Sequence, residues 1–245
     1  MQWFENEEFW RSFYPWMFSE RRFQAAPEEV NRVVALAGVR EGAVVDVCCG
    51  PARHSLLLAQ KGFRVTGVDR SSFLLSKAKE RAAGMEIEFV QSDVRDFLRP
   101  GAFDLALSLF TSFGYFETRQ EDLALLCNIR ANLKAGGVFV IDVMGRERVA
   151  RMPARVSWEE SPDGDIFVDR AEILPGWMKV RAHWLLIKGE RARRFEFDLN
   201  LYSGQELTGA LEEAGFTEVR IFGSLAGTPY DATATRLVAR AVAPG

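Results

Sequence analysis

The residues best suited to chemistry stand in one short run and at two later points. Val44-Val45-Asp46-Val47 leads into Cys48-Cys49-Gly50-Pro51-Ala52, and Arg53, His54 and Ser55 follow. That order spells an apolar strand, a turn of small residues and the start of a helix. Small side chains let a ligand approach the main chain, and the first turn of a helix offers it free N–H groups. Asp69 stands 19 residues beyond Gly50, the interval at which an acidic residue commonly holds a ribose hydroxyl pair. Asp93, in Gln91-Ser92-Asp93-Val94, could accept a hydrogen bond from an adenine amino group. Alone, each carboxylate also fits a helix cap or a turn. Three of them at or just beyond successive strands point to one crevice at the carboxyl ends of those strands.

The elements that must position these residues alternate. Residues 28–37 read as a helix closed by Gly38, 43–47 as a strand, 53–61 as a helix, and 64–68 as a strand ending in Asp69. Ser71 caps a helix reaching residue 83. Strands over 86–90 and 103–109, a helix over 120–133, the turn Lys134-Ala135-Gly136-Gly137 and a strand over 138–143 follow. Near-continuous apolar strands separated by helices predict a parallel sheet covered on both faces. Residues 146–202 break this rhythm. Segments 156–160, 166–174, 178–187 and 194–202 alternate apolar with polar, and Pro162-Asp163-Gly164, Pro175-Gly176 and Lys188-Gly189 separate them. They predict a small antiparallel sheet. Ser203 then caps a helix over 204–214 that Gly215 stops, and strands over 217–222 and 235–241 complete the pattern. Upstream, Phe9, Trp10, Phe13 and Trp16 recur at helical spacing. They predict a helix pinned on the main core, a lid over a ligand pocket, or both. The expected organisation is one domain: an aromatic lid segment (1–27), an α/β core (28–145 and 203–245), and an antiparallel insert (146–202) covering the active site.

Composition narrows the function classes. With 31 Lys and Arg against 34 Asp and Glu the net charge is −3, which disfavours nucleic acid as the main partner. Residues 146–203 balance 11 basic against 10 acidic side chains, so the Lys188-to-Arg194 run reads as a solvated hairpin tip. Cys48, Cys49 and Cys127 have no disulfide-framework or zinc-ligand spacing, and no metal site is expected. The N-terminus lacks a signal-peptide pattern and no run of about 18 apolar residues occurs. A cytoplasmic setting and no membrane partner are the expectation. Monomer and homodimer both stay open.

Over residues 30–145 and 203–242 the sequence resembles the class I S-adenosylmethionine-dependent methyltransferases. Residues 46–53 resemble their first motif, D-x-G-x-G-x-G, with Cys48 in place of the first glycine, Ala52 in place of the last, and Gly50 kept. Asp69 matches the ribose-binding acid and Asp93-Val94 the adenine-contacting pair. The run from Phe103 through Ser108-Leu109-Phe110 matches the fourth strand, Lys134 to Gly137 the turn before the fifth, and Glu213-Ala214-Gly215-Phe216 the approach to the sixth. The resemblance implies a doubly wound seven-stranded, mostly parallel sheet with the last strand antiparallel. It implies S-adenosyl-L-methionine as donor and S-adenosyl-L-homocysteine as product. Asp46, Cys48, Gly50, Ala52, Asp69, Arg70, Asp93, Val94 and Leu109 would hold the donor, with Tyr14 and Arg22 clamping its carboxylate.

A sulfonium donor needs an oriented nucleophile and little else, and a base only where the acceptor must lose a proton early. Phe110, Phe113, Tyr115 and Phe116 are placed to wall the acceptor site or to face the sulfonium. Arg181 and Lys179 share a strand face with His183. If that face turns to the cleft, Arg181 touches substrate and His183 is the best candidate for a base, with Tyr202 a second. His54 reads as a helix-start residue bonded to backbone. Ser108-Leu109-Phe110-Thr111 is not the Asn/Asp-Pro-Pro-aromatic signature of enzymes that methylate base amines or glutamine, so a small-molecule methyl acceptor with an N or O nucleophile is expected. The rivals are a methyltransferase of tRNA or another macromolecule, a non-catalytic methyltransferase-like scaffold, and a nicotinamide-dependent oxidoreductase.

Overall fold

Val44, Val45, Val47, Leu105, Ala106, Leu107, Val140 and Ile141 are all buried, which forces the strands that carry them into the middle of a two-sided sheet. The computed structural model describes residues 2–152 and 156–245. A short 3-10 turn, Trp3–Glu5, precedes α1 (Glu7–Met17) and α2 (Glu20–Ala37). Then come β1 (Ala43–Val47), α3 (Ser55–Gln60), β2 (Arg64–Asp69), α4 (Ser72–Arg81), β3 (Ile87–Gln91), β4 (Phe103–Ser108), α5 (Arg119–Asn132) and β5 (Leu133–Val143). After α6 (Arg146–Arg151) follow β6 (Val156–Glu160), β7 (Ile166–Ile173), β8 (Lys179–Lys188) and β9 (Arg191–Asn200). The chain ends with α7 (Gly204–Glu213), β10 (Thr217–Phe222) and β11 (Leu237–Val242).

Seven strands form the main sheet in the order β10-β11-β5-β4-β1-β2-β3. β1 pairs in parallel with both β2 and β4, and β11 runs antiparallel to β5 and β10. The expected topology, antiparallel last strand included, is what is found. The strand order reverses beside β1, so a crevice opens there at the carboxyl ends of β1 and β4. β5 divides its side chains between two cores. Phe139, Ile141 and Val143 face Leu125, Leu126 and Ile129 of α5 and Leu207 and Leu211 of α7. Val138 and Val140 face Val30 and Val33 of α2 and Leu58 of α3.

The second sheet has the order β6-β7-β8-β9, antiparallel throughout. Its Phe167, Trp184, Phe195 and Phe197 pack on Phe9 and Phe13 of α1, both fully buried. Ring centroids lie 5.5 Å apart for Phe9–Trp184 and 5.0 Å for Phe13–Trp184. The aromatic stripe of α1 is therefore spent on the second sheet, and α1 meets the main unit at α4, through Tyr14 and Arg11 on Phe73 and through Glu7 at the helix start. Several boundaries differ from the sequence reading, and β5, starting at Leu133, takes in the segment read as the Lys134-to-Gly137 turn. α2 starts at Glu20 and continues through Pro27, whose ring removes only one bond of the helix. α6 occupies the start of the segment read as all-β. Among the described residues no helix is long and apolar enough to cross a membrane.

Candidate active site

The turn after β1 is built from alternate left-handed residues: Cys48 (φ 58°), Gly50 (φ 55°) and Ala52 (φ 63°). Glycine takes this conformation without penalty, whereas Cys and Ala each give up about 1–2 kcal/mol. Hydrogen bonds fix the turn in place. The Cys49 N–H donates to the Val68 carbonyl at 3.0 Å, and the Gly50 N–H donates to Asp69 Oδ2 at 2.8 Å. The second Asp69 oxygen accepts from the Ser71 N–H at 2.9 Å, and the Ser71 hydroxyl caps α4. Burial nevertheless pushes the Asp69 carboxyl up to about 6. Asp46, one strand over, accepts from the Ser55 hydroxyl at 2.5 Å, and burial raises its pKa also. On the outer side Glu29 of α2 binds Arg53 and, at 2.9 Å, His54 Nε2. His54 thus bonds a carboxylate and not the backbone as expected.

Asp93 lies beyond β3 and is already saturated. Its Oδ1 accepts from the Arg95 N–H and Nε, and its Oδ2 from Arg95 Nη2 and Arg70 Nη1. Arg95 above all holds its carboxyl down to about 2. A carboxylate has about four lone-pair sites, so an adenine amino group gains one only if an arginine yields. Arg70 is the exposed one of the two, and its other bond, 2.9 Å, is to Glu5 of the first turn.

Asp46, Cys48, Gly50, Asp69, Asp93 and Val94 line one cavity of about 400 Å³. Trp3, Phe4 and Trp10 from the N-terminal segment and Trp184 from β8 line it as well, as do Phe110, Thr111, Tyr115 and Met144 past β4 and β5. The N-terminal segment is latched down by Glu7, whose carboxylate accepts from the Ser72 and Phe73 N–H groups at the start of α4 (2.8 and 3.2 Å). A negative group is favoured at a helix N-terminus.

The turn past β4 is also strained, with Phe110 (φ 62°) and Thr111 (φ 63°) both left-handed. Asp142 at the end of β5 holds it. The Phe110 N–H donates to the Asp142 carboxylate at 3.1 Å and the Thr111 N–H to the Asp142 carbonyl at 2.8 Å. Arg236 adds Nε to Asp142 (2.5 Å) and Nη2 to the Thr111 hydroxyl (2.7 Å). The Phe110 ring is 44% exposed, with the guanidinium carbons of Arg22, Arg53 and Arg236 at 4.5, 4.9 and 5.8 Å from its centre.

Of the residues singled out from sequence, Asp46, Cys48, Gly50, Asp69, Arg70, Asp93, Val94, Leu109, Phe110, Tyr115 and Arg22 meet in this cavity. Ala52 is buried behind the turn and shapes it through its φ. Five lie elsewhere. Tyr14 rests on Phe18 and Phe73, outside the lining. Phe113 is a core residue packed against Tyr202, the two rings tilted at 43°. Tyr202 donates to the buried Asp122 at 2.8 Å, and burial drives its hydroxyl pKa well above the usual value. It ties the return of the second sheet to α5. Arg181 pairs with Asp198, and His183 with Glu196 at 2.9 Å. Both side chains alternate with Ala182, Trp184 and Leu186, which face α1, so they point to the other face. That removes His183 as a base for this cavity. The residue the alternation does deliver is its neighbour Trp184. Arg53 and Arg236 were also missed; Arg53 sits inside the first motif, while nothing in the sequence marks Arg236.

Strand-end carboxylates around a left-handed turn, at the switch point of this sheet order, are the features of the class I S-adenosylmethionine-dependent methyltransferases. Comparison with known proteins agrees. Residues 44–137 match the family model described as "Methyltransferase domain". A Bacillus subtilis (strain 168) protein named as a methyltransferase, YqeM, is 25% identical over 239 residues, covering 92% of this chain and 94% of its own. The cypemycin N-terminal methyltransferase of a Streptomyces species is 25% identical over 198 residues, 80% of each chain. The structure of S-adenosylmethionine-bound CalS10, an amino pentose methyltransferase from Micromonospora echinaspora, aligns over 95% of both chains with a TM-score of 0.71 and 23% identity. The family-model match, these relatives and the shared fold together support a class I S-adenosylmethionine-dependent methyltransferase.

Proposed function

We propose that the enzyme methylates a nitrogen or oxygen nucleophile of a small molecule, releasing S-adenosyl-L-homocysteine. The observation that carries this reading is that the strand-end carboxylates and the aromatic wall past β4 share one cavity with a roof. The roof is α1, the turn before it and the second sheet, which we read as the lid.

The donor half of the cavity has the form such a donor requires. A Cβ at Gly50 would stand 3.3 Å from the Phe18 ring, so the absence of a side chain lets that cavity-lining ring close on the main chain of the turn. The buried Asp69 carboxylate, disfavoured as a charge, gains from two hydroxyl donors of a ribose. Asp93, Val94 and Arg70 stand at the adenine end, and Arg22, which makes no ion pair among the described residues, suits the donor's carboxylate. When bound, the donor supplies a sulfonium methyl that an in-line nucleophile displaces. The residues of this chain bind, orient and exclude water around that line.

Among the described residues the acceptor wall of Phe110, Thr111, Ser112, Tyr115, Met144 and Trp184 holds no imidazole and no carboxylate. Burial pushes the Tyr115 hydroxyl up to about 12, which suits it poorly as a base at neutral pH. A nitrogen that arrives with its lone pair free therefore fits better than a hydroxyl needing deprotonation. Two similar proteins, an N-terminal methyltransferase and an amino pentose methyltransferase, are in keeping with an amine.

Calorimetry with S-adenosylhomocysteine, followed by turnover of a panel of small amines and their hydroxyl counterparts, tests the reading. Expected are homocysteine-product binding and methylation of amines, with a rate that rises with pH along each amine's own titration. Methylation only of a macromolecule, or an inflection fixed at one pH for every amine at saturating donor, would overturn it.

A further inference from the structure

We infer that the methyl acceptor carries an anionic group of the carboxylate type, received by Arg236 beside the Phe110 ring. This rests on the small-molecule reading above and sharpens it.

The case starts from where the cations of the cavity find their partners. Arg53 is bonded to Glu29, and Arg70 to Glu5 and Asp93. Arg22 has no ion pair among the described residues; its guanidinium lies over Phe110, and burial followed by the nearby Arg53 lowers its pKa. Arg236 reaches Asp142 through Nε, and Thr111 and the Asp142 carbonyl through Nη2. Its Nη1 has no partner among the described residues, although the side chain lines the cavity. A donor brings one carboxylate to this group, and Arg22 suffices for it. The open nitrogen of Arg236 is then left for the other molecule in the cavity.

The surroundings of Arg236 are built, not incidental. Asp142 is buried and binds the guanidinium on one edge while holding two consecutive left-handed residues. Strained backbone of this kind persists only where its neighbours over-determine it, and it collects at binding sites. The result is a half-exposed aromatic ring beside a fixed guanidinium. A planar acid gains a charge-assisted bond from the arginine and apolar contact from the ring. An uncharged isostere gains only the second. Tyr115 and Trp184 extend the apolar wall, which fits an acceptor with an apolar body between its amine and its acid.

The test uses the full chain saturated with S-adenosylhomocysteine and two probe pairs: 4-aminobenzoate with 4-aminobenzamide, and phenylalanine with phenylalaninamide. Binding is measured by calorimetry. Acids should bind at least about tenfold more tightly than their amides, the scale of one hydrogen bond to a charged group. The ratio should shrink between about 50 mM and about 500 mM salt as charge is screened. Arg236→Gln should bring it within about twofold of unity, and Arg236→Lys should restore part of it, with S-adenosylhomocysteine affinity held. The salt series on the wild-type protein decides the matter if Arg236→Gln does not fold. Equal binding of acids and amides, no binding of any probe, or a preference that survives Arg236→Gln overturns the inference. Loss of S-adenosylhomocysteine binding by the wild-type protein would instead sink the donor assignment.

Discussion

The two ends of the cavity are made by different means. The donor end hangs on the main sheet: Asp46 and Asp69 stand at the ends of successive strands, and their oxygens are held by the Gly50 and Ser71 N–H groups of the turns after β1 and β2 and by the Ser55 hydroxyl at the start of α3. The acceptor end is assembled from distant pieces, with Trp3 and Trp10 from the N-terminus, Trp184 from the second sheet and Arg236 from the segment before the last strand. Strand-end geometry is set by the hydrogen-bond ladder, so the first end is dictated locally. The second depends on how separate elements pack. Recognition of a common donor can be carried by the rigid part, and recognition of a particular acceptor by the assembled part.

This contrast can be broken by substitution. The largest effect is expected at Asp69: Asp69→Ala should weaken S-adenosylhomocysteine binding by about 1–3 kcal/mol, the cost of losing bonds to a charged acceptor, while the folded protein keeps its spectrum. Unchanged affinity in calorimetry would remove Asp69 from the donor end. A second expectation follows from its carboxyl titrating near 6. The folded apoprotein holds this proton more tightly than the unfolded chain does, so the Asp69 contribution to apoprotein stability is fully present at low pH. It is lost as pH rises through about 6. Donor hydroxyls need the ionised form, so affinity should fall as pH drops below about 6. Proton release on binding near that pH, seen by calorimetry in buffers of different ionisation heat, checks the sign.

Away from both ends, Tyr202→Phe should lower stability by about 1–2 kcal/mol through the buried Asp122 it leaves short of a donor. Donor affinity should stay within about twofold, because the hydroxyl faces α5 and not the cavity. Denaturant melts alongside calorimetry separate the two quantities. The smallest effect belongs to His183→Ala. On the outer face of the second sheet, its loss should leave kcat/KM within about twofold, and a large loss of kcat would return it to the reaction.

The same contrast explains what could be read before any coordinates. Asp46, Gly50, Asp69 and Asp93 were legible because strand periodicity fixes where a strand ends, and ligands of open sheets gather at those ends. The four-stranded sheet was legible from its alternation and turns. What alternation left open was phase. The pattern placed Arg181 and His183 on one face, and only the packing of Phe9 and Phe13 against Trp184 says which face the cavity sees. Phe113 and Phe116 stand three residues apart, yet the first is core and the second lines the cavity; Gly114, left-handed at φ 95°, turns the chain between them. Arg236 gave no local signal, since its partner Asp142 is 94 residues away.

The turn after β1 has a consequence for how such sites are sought. Its three left-handed positions fall on a cysteine, a glycine and an alanine, and the backbone traces the path that three glycines would trace. The signature conserved through such a replacement is torsional, not alphabetical. A search that demands the letter G at each place discards this chain, whereas one that asks for three alternate positive φ values between a buried strand and a helix keeps it.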